Sequence, residues 1–215
     1  IYEVNLGSWV NGRPAPLTVF GPRGVDEVVE GINASYRQDR IYRVGHHGQA
    51  LLPPALGVLD HKTIEPGVIL DDGQLKITAY VGEHPPIEPA VGYRFDYRGR
   101  SVVISGDSNV SDSTRQITEG ADLLLHDALS LPTLTALSAA LGAAGQTRLA
   151  KIVTDVTDYH ASTESLVELG KQSNVGMIGY YHLVPVPANP IIKAVFMRGA
   201  PENFVLTEDL MWFEL

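Results

Sequence analysis

Two of the chain's seven histidines and one of its aspartates stand just where an apolar strand pattern runs out. His84 follows "LKITAYVGE" and precedes Pro85-Pro86, His182 follows "VGMIGYY" and precedes "LVP", and Asp107 follows "SVVIS". Side chains at strand ends converge on one rim of a sheet, where ligands bind. Imidazole and carboxylate together suit zinc, manganese or iron. A carboxylate behind an apolar run is costly to bury alone, so Asp107 should have a partner. Each residue also has a plainer reading. A histidine before proline is ordinarily a loop residue, and a strand-end aspartate is ordinarily a turn former or helix cap. Four of the other histidines read as structural: His46 and His47 are adjacent and point different ways, His61 is exposed, and His126 packs in a buried strand pattern.

Stretches of regular structure must position these groups. Leu17 to Phe20 read as a strand broken by Gly21-Pro22. Val25, Val28, Val29 and Ile32 follow with the spacing of an amphipathic helix. Residues 37 to 66 read as turn-rich and irregular, forming part of a pocket wall in which Tyr42 or Arg43 contacts substrate. "GVILDDGQLKITAY" is a hairpin turning at Asp72-Gly73. In "VGYRFDYRGRSVVIS" Tyr93, Phe95 and Tyr97 share one face and Arg94, Asp96 and Arg98 the other. Then come a helix over Ser111 to Glu119, a buried strand in "ADLLLHDA", and a helix over Thr133 to Ala144. A helix capped by Ser162 or Thr163 runs to about Lys171, followed by a strand in "VGMIGYYH", a helix over Asn189 to Met197, and a closing strand in "LMWFEL". Early strands followed by strand–helix alternation predict an α+β fold, sheets covered by helices, in one domain over residues 1–215.

At 215 residues and 44% hydrophobic composition, the chain can build a real core. A formal net charge of −9 repels a phosphate backbone and weighs against nucleic acid as a partner. No apolar run is long enough for a membrane helix, and the absence of cysteine excludes thiolate chemistry from these residues.

Five motifs in order carry a resemblance to a known family. They are His84 ahead of "PAVGYRF", "SGDS" at 105 to 108, "GADLLLHDA" at 120 to 128, "HAST" at 160 to 163, and "HLVP" at 182 to 185. The set resembles the metallo-β-lactamase-fold hydrolases, in the branch of ribonuclease Z and the arylsulfatase-like enzymes. The upstream "PLTVFGPRGVDEVV" is similar to that family's strand, Gly-Pro turn and helix. The resemblance implies an αββα four-layer sandwich with two divalent metal ions, zinc or else manganese or iron, at one sheet edge. By the same resemblance His84 ligates the first metal, His182 the second, and Asp107 bridges both, so that water between them becomes a hydroxide nucleophile. His160 stabilises charge or protonates the leaving oxygen. Asp127 orients His160 from a position where the family has Glu, and Ser108 replaces the family's Thr.

The family's His-x-His-x-Asp-His motif is not found between residues 1 and 215. Its expected place lies ahead of Ile1, so the sandwich is expected to be incomplete at the N-terminus. Residues 1–215 alone are then expected to hold metal weakly and turn over little. The expected activity is metal-dependent hydrolysis of a phosphodiester, sulfate ester or carboxylic ester. The alternatives are a tRNA 3′-processing endonuclease and a catalytically degenerate binding or assembly subunit. The family's long tRNA-gripping arm has no room between His84 and Asp107, which with the charge favours a small-molecule ester substrate over nucleic acid. A bare sheet edge favours pairing into a homodimer.

Overall fold

The computed structural model describes residues 1–215, which form two compact units, residues 1–65 and 66–215. The first holds α1 (Tyr2–Val10), β1 (Leu17–Gly21), α2 (Val25–Ser35), α3 (Arg37–His47), a 3-10 turn at Pro54–Leu56 and β2 (Leu59–Thr63). Strands β1 and β2 pair in parallel as a two-stranded sheet. The helical spacing expected for α2 is what buries Val25 and Val29 against Leu59, with Leu17, Val19 and Ile32 packed around them. Gly21 permits the strand-to-helix turn, because a Cβ there would stand 2.8 Å from Cγ2 of Val25. Trp9 is buried and donates from its indole nitrogen to the carbonyl of Pro53 across 3.1 Å.

The expected irregular stretch over 37–66 is instead largely regular, holding α3 and β2. No residue of α3 is buried, so it lacks the apolar stripe by which a helix is read. Tyr42 lies on its exposed face, and Arg43 is tied to Asp39 across 2.8 Å. His46 and His47 end the helix, exposed, and His61 is exposed on β2.

The second unit is built on a seven-stranded sheet in sequential order, β3 (Gly67–Asp71), β4 (Leu75–His84), β5 (Ile87–Tyr97), β6 (Arg100–Ile104), β7 (Leu123–Leu129), β8 (Met177–Val184) and β9 (Phe204–Leu206). The first four run antiparallel, and the pairings from β6 to β9 are parallel. Parallel pairing requires crossovers. The helices α4 (Asp112–Thr118), α5 (Leu131–Ala143), α6 (Thr147–Asp155), α7 (Thr163–Gln172) and α8 (Pro190–Phe196) supply them. Ser111, Ser162 and Asn189 cap α4, α7 and α8 with side-chain oxygens. Val103, Leu124, Leu166, Leu169, Ile178, Tyr180 and Phe196 form the centre of the core.

The hairpin over 67–84 and the strand faces of β5 follow the sequence pattern, with Tyr93 and Phe95 opposite Ile104 and Val102. The closing strand does not. The last strand is β9, and "LMWFEL" lies outside it with Leu210 and Trp212 exposed. An apolar run makes a strand only where a ladder partner and a covering layer exist. No helix is long and apolar enough to cross a membrane.

Candidate active site

The expected site residues come together within the second unit, on loops and strand ends from β4, β6, β7 and β8. The ring centroids of His84 and His160 are 5.7 Å apart, and those of His160 and His182 are 5.3 Å apart. Nε2 of His182 lies 3.4 Å from Oδ2 of Asp107. His84 ends β4 beside a register shift, half-buried, and its buried Nδ1 has no hydrogen-bond partner. His182 is the residue skipped where β8 slips against β7, and its φ of 43° lies in the left-handed region. A bulge of this kind re-aims one side chain out of its ladder. Here it turns His182 toward the rim, at a backbone cost that side chains other than glycine seldom carry.

Asp107 sits on a loop fixed at several points. Ser105 donates its amide to the carbonyl of Leu125 across 3.0 Å, and Asn109 donates its amide to the carbonyl of Glu83 across 2.8 Å. Asn109 also donates from Nδ2 to the carbonyl of Asp158 across 2.8 Å, joining this loop to the one that carries His160. Gly106 has a φ of 68°, and a Cβ there would stand 2.8 Å from the carbonyl oxygen of Val91. Asp107 itself is not buried as its place behind an apolar run implied; its side chain is 45% exposed. The chain turns at Gly106 and lifts the carboxylate out of the core.

Asp127 is the buried carboxylate, with no exposed surface. Oδ2 accepts from Nδ1 of His160 across 2.8 Å and from the amide of Ala161 across 3.3 Å. Oδ1 accepts from the amide of Ser108 across 3.2 Å, and Nδ1 of His126 stands 2.9 Å both from Oδ1 and from the backbone carbonyl of Asp127. Burial alone would raise its pKa, but the hydrogen bonds from His126 and His160 more than offset that and hold it below the usual carboxylate range. An ionised carboxylate only accepts, so Nδ1 of His160 carries the hydrogen and Nε2 is bare in the neutral ring. The shorter Asp thus reaches His160 without the extra methylene of Glu.

His126 is wholly buried as expected, yet it is also a partner of Asp127. That role was missed, and adjacency in "HDA" was its only sequence signal. Tyr159 was missed too; its ring centroid lies 4.7 Å from that of His84 and 5.0 Å from that of His160. Ser108 caps no helix, the cap of α4 being Ser111.

The donor chemistry of His84, Asp107 and His182 suits a divalent cation, and the orphaned Nδ1 of His84 is a free ligand atom. No three histidine or carboxylate groups stand close enough to hold one ion between them. These residues alone therefore do not fit a complete metal centre.

No family model matches the chain. Among curated proteins, "Putative ribonuclease Z" of Mycobacterium tuberculosis (strain CDC 1551 / Oshkosh) is 32% identical over 186 residues, covering 85% of this chain and 77% of that protein. "Ribonuclease Z" of Mycobacterium tuberculosis (strain ATCC 25618 / H37Rv) is also 32% identical over 186 residues, but the match spans 63% of its length. The metallo-beta-lactamase fold protein YhfI from Bacillus subtilis superposes with a TM-score of 0.56 at 16% identity, covering 95% of this chain and 67% of that one. Zn(2+)-bound PqqB from Methylobacterium extorquens gives 0.55 at 16% identity, covering 97% and 66%. The fold is therefore that of the metallo-β-lactamase-fold proteins, α+β as expected. The chain belongs to the ribonuclease Z family of metallo-β-lactamase-fold hydrolases.

The expectation of a small-molecule ester partner, with nucleic acid disfavoured, is overturned by relatives named as ribonucleases. Net charge sums the whole surface, whereas a phosphate backbone responds to the field of the patch it touches.

Proposed function

We propose that this chain carries the catalytic rim of an RNA phosphodiesterase acting at the 3′ end of precursor tRNA. The observation that carries the reading is the buried Asp127–His160 pair at 2.8 Å, set beside His84, His182 and Asp107. In hydrolysis, water attacks phosphorus, a P–O bond breaks, and the leaving ribose oxygen takes up a proton. Nε2 of His160, bare in the neutral ring, takes up the proton the attacking water loses and passes it to the leaving oxygen, and Asp127 stabilises the ring while it is cationic. His84, Asp107 and His182 serve as part of a donor set for divalent metal.

The test is incubation with a precursor tRNA bearing a 3′ trailer, with zinc or manganese supplied and metal content measured in parallel. Trailer release that falls about 10²-fold or more in H160A supports the reading. Bound metal with no RNA cleavage would refute the substrate. Neither metal nor cleavage would favour a binding subunit.

A further inference from the structure

An open cavity of about 730 Å³ in the second unit lies at the start of β4 and β6 and the end of β5. His84 is eight residues along β4 from Lys76, so this cavity is roughly 25 Å from the histidine rim. Four cations, Lys76, Arg94, Arg98 and Arg100, line it against three carboxylates. The carboxylates are engaged within the fold. Asp122 accepts from the amide of Ser101 across 2.7 Å and from Arg100 across 3.0 Å. Asp96 accepts from Arg94 across 3.0 Å, and Asp71 from the amide of Gly73 across 3.1 Å. Arg94 is spent as well, donating to the carbonyls of Ile117 and Glu119. Lys76 and Arg98 are exposed and have no hydrogen-bond or ion-pair partner, and Arg100, which pairs with Asp122 through Nη1 alone, is 61% exposed and keeps its other N–H donors unengaged.

A second observation singles out Arg98. It has a φ of 50° and Gly99 a φ of 77°, making the two-residue turn from β5 to β6. Such turns need positive φ at both positions, and the first is ordinarily Asn, Asp or Gly. Arg98 bears the strain of that position while its guanidinium bonds nothing in the fold. It lies over the ring of Tyr97, 5.0 Å from its centroid, and Tyr97 is itself exposed. Strain kept with no hydrogen bond or ion pair in return points to function. A free guanidinium stacked on an exposed aromatic suits a nucleic-acid backbone.

We propose that Lys76, Arg98 and Arg100 form a docking site for the phosphodiester backbone of RNA, distant from the reacting bond. The cations span three adjacent strands, about 10 Å, which is wider than one phosphate group. On a chain of net charge −9 the site gives the backbone a local place to bind. The proposal rests on RNA being the substrate.

The test is binding of a fluorescent precursor tRNA to the full chain over a range of salt concentrations. R98N and K76Q are each expected to weaken binding about 5- to 10-fold and to make the slope of log affinity against log salt shallower by about 0.7–0.9. R98N should melt no lower than wild type, since Asn suits the turn, so weaker binding would not be a folding defect. K151Q, on α6, should bind as wild type does. Unchanged affinity and slope in R98N and K76Q, with wild type binding RNA, would overturn the docking site alone. An equal loss in K151Q would do the same, because only net charge would then matter. If wild type neither binds nor cleaves the RNA, the substrate reading falls and the site with it.

Discussion

Nδ1 of His160 donates to Oδ2 of Asp127 across 2.8 Å, with both side chains shut away from solvent. The bond fixes which ring nitrogen is free and which way it faces. In D127N the side chain keeps its size but can offer an NH₂ group, which favours the wrong tautomer. The expected result is a drop in kcat for trailer release of about 10²–10⁴-fold, with KM little changed. Single-turnover cleavage at saturating RNA measures it.

The same carboxylate makes stability depend on pH in a defined direction. Its pKa is lowered in the folded chain, burial being outweighed by the hydrogen bonds from His126 and His160. A depressed pKa contributes stability that is complete above the ordinary carboxylate value of about 4 and is lost as pH falls through the folded value. Urea midpoints measured from pH 7 down to pH 3 should fall at the acid end for wild type and fall less for D127N. Parallel acid limbs in the two proteins would contradict this.

His126 has no exposed surface, and its Nδ1 is 2.9 Å from the Asp127 carboxylate. Removing the ring strips a buried charge of one partner and opens a cavity. H126A should lose about 2–4 kcal/mol in urea denaturation. H126Q, which can restore a donor, should lose less. Equal losses would mean that volume alone matters there.

Gly106 holds the turn into Asp107 with a φ of 68° and room for no Cβ beside Val91. G106A must therefore either strain the backbone or move the loop. A loss of about 1–3 kcal/mol is expected, together with weaker activity as Asp107 leaves its place by His182. Thermal unfolding and the cleavage assay read the two effects separately.

His182 presents the opposite balance. Its φ of 43° costs the fold energy that glycine would not pay. H182G should gain about 1 kcal/mol at the backbone while activity falls. Stability rising as function drops is the mark of a residue kept for chemistry, and a variant losing both would argue for a packing role.

Much of this arrangement was legible because His84 and Asp107 stand where recognisable strands end. "SVVIS" and "LKITAYVGE" become β6 and β4, and their ends meet because the strands join one sheet. The slip between β7 and β8 was not legible, since it depends on pairing register, and it is what turns His182 outward. Nor was α3 legible, since "RQDRIYRVGHH" buries nothing. The helix α6 carried a readable signal in Leu149, Ile152 and Val153, spaced as a helix face. Asp107 was misjudged because burial was inferred from its neighbours, whereas Gly106 reverses the chain just before it. The net charge misled because it sums the whole surface and says nothing about any one patch.

The parallel pair β1 and β2 has a further consequence. Parallel ladders are ordinarily found deep inside larger sheets with both faces covered, and this one has two strands and four exposed residues in β2. Amide protons of residues 17–21 and 59–63 should therefore trade with deuterium long before those of β7, where six of seven residues are buried. Proteases should find their earliest cuts in the same stretch, which makes this ribbon the place where the chain begins to come apart.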